Sequence, residues 1–270
     1  MSRPAASRAR RGAVAVAATA LALAACGSDG GKSSVLSETA RNLGDIRSAT
    51  LDLKMTAESP AAKGPVGFSM RGPFALPEKK AGLPVANLVV SELRGADTTT
   101  VSFVSTGDKA YVVRDGKATP LASPAVSVGG GGEGGLGELR IDQWLHDPKE
   151  TAGGTVNGVQ TDKVEAGLDV VAAFDDLGKL GQRLGSSALA GLKPLDDRSR
   201  EALRKAATDS RVQVWSGNDD RLLRRLVLRV TLTASGDLPE ALRAMAPVTL
   251  SLSLDLAKVN EPVHVDPPAT

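Results

Sequence analysis

The chain has a single cysteine, Cys26, whose thiol is the most reactive side chain that the sequence offers. A thiolate is nucleophilic enough to be alkylated at ordinary pH when its surroundings permit. Here a basic start with four arginines before position 12 leads into an uncharged, alanine-rich run at Gly12–Ala25. A basic region, a short apolar region and small residues form a secretory signal, and this run is too short to span a bilayer as a helix. The sequence therefore predicts export, with a signal peptide at residues 1–25.

The residues before the cysteine, Leu23, Ala24 and Ala25, complete a Leu-Ala-Ala-Cys motif that resembles the lipobox of bacterial lipoproteins. The resemblance implies that a diacylglyceryl group is attached to the Cys26 sulfur and that signal peptidase II cuts before Cys26. It also implies that the new amino terminus receives a fatty acid such as palmitate. The protein would then be lipid-anchored at the extracytoplasmic face of the cell membrane. The alternative is an ordinary signal peptide that happens to contain a cysteine.

Removal of residues 1–25 changes the charge balance of the chain. The full sequence has 33 basic and 31 acidic residues, and the loss of four arginines leaves 29 basic residues, a formal charge of −2. Nucleic-acid-binding proteins usually carry a basic surface, so no nucleic-acid partner is expected. A lipidated Cys26 leaves no thiol for a disulfide, so apolar burial must stabilise the fold.

Other residue patterns that support catalysis or metal binding are missing from the sequence. The two histidines, His146 and His264, are distant from each other and lack a cysteine partner, so no zinc site is expected. No G-x-S-x-G motif occurs. The glycines of Gly129–Gly137 do not lie between a strand and a helix, as a dinucleotide-binding loop requires. We predict a protein that is not an enzyme and that has no metal or cofactor.

The elements that follow the cysteine form a tether and one domain. Residues 26–34 are polar and rich in glycine and serine, which is typical of a flexible tether. A single domain is predicted at residues 35–270, beginning with a helix over Val35–Arg47 that Ser34 caps. Apolar and polar residues then alternate over Ala49–Ala57, which predicts a half-buried strand. Further strands are predicted at 66–70, 86–93, 98–105, 109–114 and 117–121. The Asn-Gly pair within Thr155–Gln160 predicts a β-hairpin.

The second half of the chain contains helical segments and two strongly alternating strands. Helices are predicted at Arg140–Leu145, at 169–192 with an apolar stripe over Val170–Leu184, and at Pro194–Thr208. The even-numbered residues of 222–232 and of 248–256 are mainly leucine and valine, which indicates antiparallel strands with one apolar face. About ten strands and a few helices predict an α+β fold in which helices cover one face of a large sheet.

Five local patterns occur in the order found in the actinobacterial lipoproteins of the LppX/LprAFG group, which this chain resembles. They lie at Ile46–Leu53, Thr106–Val112, Gly154–Thr161, Val214–Arg224 and Asn260–Val265, the last resembling a closing Glu-Pro-Val strand. The resemblance implies a LolA/LolB-like fold, with a large, curved, half-open antiparallel β-barrel sheet wrapped over helices and enclosing an apolar cavity. Characterised members of the group bind diacyl or triacyl lipids and glycolipids.

We therefore expect an envelope lipoprotein that binds and carries acylated lipid or glycolipid between the sheet and the helices. The alternative is a membrane-anchored interaction or sensory module of the same fold, with a filled core and no lipid cargo. The residues expected to line the cavity alternate along four of the predicted strands and point to the apolar face. They are Leu51, Leu53, Phe68, Leu226, Leu228, Val230, Leu232, Leu250, Leu252 and Leu254.

Three further side chains require an interpretation. Trp144 and Trp215 are expected to be core anchors. Arg224 belongs to a basic cluster near the start of a strand, and its even number places it on the apolar face with Leu222 and Leu226. One interpretation is a solvated strand end. The other is an arginine at the rim of the cavity that contacts a phosphate or sugar head group.

Overall fold

The computed structural model describes residues 33–77, 82–121, 136–183, 195–233, 238 and 240–269. All of them fall within the contact unit Lys32–Thr270, which is separate from the unit Met1–Gly31. The predicted signal, the lipobox and Cys26 therefore lie outside the described residues, as do most of the tether and most of the glycine run. The predictions for those segments stay predictions.

One antiparallel sheet of eleven strands organises the domain. The strands are β1 Ser48–Glu58, β2 Val66–Ala75, β3 Val85–Arg94, β4 Asp97–Thr106, β5 Ala110–Arg114, β6 Lys117–Pro120, β7 Leu145–Val156, β8 Val159–Leu168, β9 Ala207–Gly217, β10 Leu223–Leu232 and β11 Val248–Ala257. Their order is β6-β5-β4-β3-β2-β1-β11-β10-β9-β8-β7, so β6 and β7 end the sheet at its two edges. The sheet is curved and unclosed, which confirms the predicted α+β class with a half-open antiparallel sheet.

The helices lie over one part of this sheet. They are α1 Ser34–Asn42, α2 Val170–Arg183, α3 Asp197–Ala206 and α4 Glu240–Met245. α1 contacts β8 and β9, α3 contacts β9 and β10, and α2 packs against α3. Asp169 begins α2 by accepting hydrogen bonds from the backbone N–H groups of Val171 and Ala172 at 3.0 and 3.1 Å. No helix among the described residues is long and apolar enough to cross a membrane.

The strand pairing divides the side chains between two faces. Leu53 lies opposite Leu254, and Leu254 lies opposite Leu226 on the next strand. Directly paired residues share a face of the sheet, so the leucines of β1, β11 and β10 form one apolar face. Asp52, Asp255 and Arg225 pair in the same way on the other face, which we call the polar face. The alternation in the sequence predicts this arrangement.

The predicted helix at Arg140–Leu145 is wrong. Only a single 3₁₀ turn forms, at Ile141–Gln143, and Leu145 already begins the edge strand β7. Pro148 is tolerated within β7 because an edge strand has one row of backbone groups without strand partners, and because the pairing with β8 shifts between His146 and Lys149. The proline that indicated the end of a helix instead marks an irregular edge strand.

Two predicted helix boundaries also differ from the structure. α1 is capped by Ser33, not by Ser34, because the Ser33 Oγ accepts a hydrogen bond from the N–H of Leu36 at 3.0 Å. α3 spans Asp197–Ala206 and not Pro194–Thr208, because Asp196 caps it through the N–H of Ser199 at 2.8 Å. The hydrogen bond with the Ser199 side chain, and after it the one from the Ser199 N–H, lowers the pKa of Asp196. After Ala206 the chain becomes extended at once and enters β9, a strand whose first half the sequence analysis missed.

The carboxyl-terminal segment, residues 261–269, is extended but is not a strand, so the closing strand implied by the resemblance is wrong. Between β11 and this segment, the N–H of Asn260 donates a hydrogen bond to the carbonyl of Ser48 at 2.8 Å. It then places Val265, 8% exposed, against Val104 and Tyr111 of β4 and β5. Side-chain packing therefore holds this segment where the resemblance implied strand pairing.

Candidate functional site

The apolar face has a part that is fully covered. On β10, Leu226, Leu228, Val230 and Leu232 are between 0 and 5% exposed and belong to the main core cluster. The same cluster contains the helix residues Val171, Ala173 and Leu203. Four of the residues predicted to line a cavity therefore lie in a packed core beneath the helices.

A second part of the apolar face is only half-buried. Side chains on β11, β1, β2 and β3 pair across these neighbouring strands and share this face. All of them are more exposed than the leucines of β10. We call this set the half-buried apolar face, and its members are Leu51, Leu53, Met55, Met70, Val90, Leu250 and Leu252.

Two further residues predicted to line the cavity border this surface. Phe68, 8% exposed, lies opposite Met55, and Leu254, 5% exposed, lies opposite Leu53. Both are more buried than the members of the half-buried apolar face. Contiguous apolar surface that remains accessible in a folded monomer usually marks a binding site for an apolar partner. This part of the face is the surface that can accept an acyl chain.

Arg224 lies on the apolar face and is 6% exposed. Arg225 pairs with Asp255, so the preceding residue lies beside Leu256, on the opposite face from Asp255. The pairing of β10 with β9 is irregular between Leu223 and Arg225, so Leu223 and Arg224 are both buried. The Nη2 of Arg224 forms an ion pair with Asp220, whereas its Nε and Nη1 are buried and have no hydrogen-bond partner.

The surroundings of Arg224 combine the β9–β10 turn with α1. The Nδ2 of Asn42 donates a hydrogen bond to the carbonyl of Asp220 at 3.2 Å, which links α1 to the turn. On the neighbouring strand β9, the buried Ser216 Oγ accepts a hydrogen bond at 2.7 Å from Thr39 Oγ1 of α1. A side chain at position 217 would place its Cβ 2.3 Å from Asp220 Oδ1, so a larger residue there would displace the carboxylate that pairs with Arg224. The sequence gave no sign that the Asp220 carboxylate holds Arg224.

The start of the domain is held by a network of charged side chains. Ser33 Oγ donates a hydrogen bond to Glu150 of the edge strand β7. Arg221, close in sequence to Arg224, pairs with Asp162 at 2.5 Å and with Glu38 of α1 at 3.3 Å. The hydrogen bond to Asp162 raises the pKa of Arg221. The point at which the predicted tether enters the domain is therefore fixed to β7, β8 and the β9–β10 turn.

The polar face carries a feature that the sequence analysis missed. Trp215 is not a core anchor there: it is half-buried on the polar face, with Lys163 Nζ 5.3 Å and Arg225 Cζ 5.6 Å from its ring centroid. Trp144, in contrast, is 0% exposed, as predicted, and its Nε1 donates to Asp176 at 3.0 Å. A cleft of about 300 Å³ lies beside Arg225, and its lining consists of Thr50, Leu51, Asp52, Asn157, Arg225, Asp255 and Ala257.

Charged pairs occupy this cleft and leave little unbalanced charge. Arg225 pairs with Asp255 at 2.6 Å, and Asp52 pairs with Arg71 at 3.0 Å. Within the described part of the chain, no group of three or more histidine, cysteine, aspartate or glutamate side chains could hold a metal ion. Leu51 borders both the cleft and the half-buried apolar face. The rest of the cleft lining is mainly polar or charged, so of these two surfaces the apolar face suits an acyl chain.

Comparison with known proteins gives similarity at the level of solved structures. No protein-family model matches the chain, and no curated protein matches it. LprF from Mycobacterium bovis is 12% identical, with a TM-score of 0.49, and the match covers 87% of this chain and 96% of that one. The chain is similar to mycobacterial lipoproteins. Lipoprotein LppX from Mycobacterium tuberculosis is 17% identical, with a TM-score of 0.41 and coverage of 86% and 98%.

A weaker similarity is found to a second group of solved structures. A LolA superfamily protein from Nitrosomonas europaea is 9% identical, with a TM-score of 0.23, and the match covers 85% of this chain and 93% of that one. LprF and LppX carry names of the LppX/LprAFG group that the sequence motifs resemble.

Proposed function

We propose that this protein is a lipid-anchored envelope protein that binds acylated lipid or glycolipid on the half-buried apolar face and carries it without catalysing a reaction. The observation that carries the proposal is the division of the apolar face. Helices fill the part over β9 and β10, while the leucines and methionines of β11, β1 and β2 remain half-buried. An acyl chain placed there would complete the burial of those side chains.

The energetics of transfer favour such a surface. Burial of each methylene of an acyl chain stabilises the complex by about 0.8 kcal/mol, but the bilayer already buries the same groups. A carrier therefore needs to match the bilayer and need not exceed it. A surface of leucine, valine and methionine without charges meets that requirement, because the acyl chain exchanges one apolar environment for another.

The predicted anchor would keep the domain close to its source of lipid. Seven residue steps separate Cys26 from Ser33, where the described domain begins. An extended chain spans at most about 3.6 Å per residue, or roughly 25 Å over this distance. A diacylglyceryl group on Cys26 would therefore hold Ser33 and the neighbouring edge strand near the membrane surface, where acyl chains are concentrated.

A matched pair of substitutions tests the binding surface. Leu252 and Leu228 lie opposite each other on β11 and β10, but Leu252 is half-buried whereas Leu228 is 5% exposed. We expect Leu252→Trp to lower uptake of a fluorescent acyl probe several-fold with little change in melting temperature, because it fills the space that the probe occupies. Leu228→Trp should instead destabilise the packed core by about 1–3 kcal/mol.

Probe fluorescence and thermal unfolding, measured on both variants and on the wild type, distinguish these effects. A wild type that takes up no probe, together with destabilisation by both tryptophans, would contradict lipid binding. That outcome would favour the second candidate, an anchored interaction or sensory module with a filled core. The burial of the apolar side chains of β10, Leu226, Leu228, Val230 and Leu232, is the observation that favours this second candidate.

A further inference from the structure

The guanidinium of Arg224 is buried with only part of its hydrogen-bonding capacity used. Its Nη2 is paired with Asp220, whose side chain is 40% exposed, while the Arg224 side chain is 8% exposed. Among the described residues, Arg224 Nε and Nη1 are the buried side-chain nitrogen or oxygen atoms that lack any partner. Buried polar groups are nearly always hydrogen-bonded, so such a pair of donors is suited to a binding partner.

The position of Arg224 connects these donors to the half-buried apolar face. The residue lies on the apolar face beside Leu256, and Leu256 pairs directly with Leu51. A single row across three strands therefore leads from the arginine to the half-buried Leu51. A molecule with its chain against Leu51 and Leu53 would direct its polar end along this row to the guanidinium.

We propose that Nε and Nη1 of Arg224 bind the oxyanion of an acidic lipid, a phosphate or a carboxylate, whose chains lie on the half-buried apolar face. This inference rests on the proposed function and specifies its ligand class. Two donors on one planar guanidinium match two oxygens of such a group, and the pairing strengthens where water is excluded. Asp220 occupies a different nitrogen and keeps the arginine oriented.

Entry of the head group requires local movement, because the two nitrogens are enclosed by the protein. The half-buried Leu51 lies at the accessible end of the row, whereas Leu256 is 0% exposed. The lipid therefore enters from the Leu51 end and displaces side chains above Leu256. Binding of an acidic lipid should accordingly protect the backbone of α1 and the β9–β10 turn, which lie around Arg224.

The test uses two pairs of lipids that differ only in the oxyanion. The mature chain, residues 26–270 with Cys26→Ser, is titrated with dioleoyl phosphatidic acid and dioleoylglycerol, and with oleic acid and oleyl alcohol. We expect the wild-type sequence at position 224 to bind at least one acidic lipid about tenfold more tightly than its neutral partner. The pair that shows the preference identifies phosphate or carboxylate as the group recognised.

Substitution of the arginine then assigns the preference to this side chain. Arg224→Gln should abolish the preference for the acidic lipid and leave affinity for the neutral lipid unchanged, and Arg224→Lys should retain part of it. Equal binding of acidic and neutral lipids by the unsubstituted protein overturns the inference, although the proposed function stands. This outcome does not depend on the folding of the variants, because it is measured on the unsubstituted protein. An equal loss of both affinities in Arg224→Gln also overturns it, since that result indicates a structural role. Failure to bind any of the four lipids overturns the proposed function as well.

Discussion

Replacement of Cys26 by alanine is expected to abolish lipid attachment completely. Cys26 is the only cysteine of the chain, so no other thiol can accept a diacylglyceryl group. Alanine has no nucleophile to alkylate, and without the modified cysteine signal peptidase II has no substrate. The variant should keep residues 1–25 and carry no fatty acid, whereas the wild type should lose that segment and be labelled.

Metabolic labelling with an alkyne analogue of palmitate, followed by mass measurement of the purified chain, checks both consequences. Ser28→Ala, two residues after the cysteine, is the matched control and should be labelled and cut like the wild type. Equal label on Cys26→Ala and on the wild type would contradict the lipoprotein interpretation. Cleavage of both chains without any label would instead support an ordinary signal peptide.

Leu254→Asp is expected to destabilise the fold strongly. Leu254 is 5% exposed and is paired with Leu53 and Leu226 on the apolar face. A carboxylate there would be buried without a partner, which should lower the free energy of unfolding by several kcal/mol, about 3–5. The adjacent Ser253 lies on the polar face opposite Lys54, so Ser253→Asp should change stability by less than about 0.5 kcal/mol.

Urea unfolding of the two variants, followed by circular dichroism, measures this difference. The two substitutions introduce the same side chain one residue apart, so their comparison isolates the face of the sheet from the chemistry of aspartate. Similar midpoints for Leu254→Asp and Ser253→Asp would show that the alternation does not decide which side chains are buried. The register between β1 and β11 would then be wrong.

Local patterns predicted the sheet wherever both faces differ clearly in polarity. β1, β10 and β11 alternate leucine or valine with polar residues, and their observed pairing keeps each set on one face. β9 was only partly predicted because its first residues, Ala207–Arg211, contain no large apolar side chain. The start of β7 was predicted as a helix because Pro148, three residues after Leu145, is typical of a helix end. The position of β7 at the edge of the sheet explains why the strand accepts this proline.

The candidate site could be predicted in composition but not in extent. Leu228 and Leu252 are equivalent in the alternation, yet the structure buries the first and leaves the second half-buried. That difference depends on where the helices dock, which is a contact between distant segments that a local pattern does not contain. For Arg224, the alternation along β10 predicted the face of the sheet on which it lies. Its burial was not predicted, because it follows from the irregular pairing of β10 with β9.

The central claim is that the half-buried apolar face holds acyl chains, and native mass spectrometry of protein made in its own cell envelope tests it most directly. Cys26→Ser removes the predicted lipid attachment site, and fusion of residues 26–270 to a cleavable signal peptide exports the chain without an anchor. The protein is then purified without detergent and electrosprayed intact. We predict adducts whose masses match acylated lipids in the spectrum of the protein with Leu252. The fraction of protein that carries such adducts should be lower in Leu252→Trp. A spectrum that contains only the bare polypeptide mass, with no lipid recovered by solvent extraction of the same sample, would contradict the account.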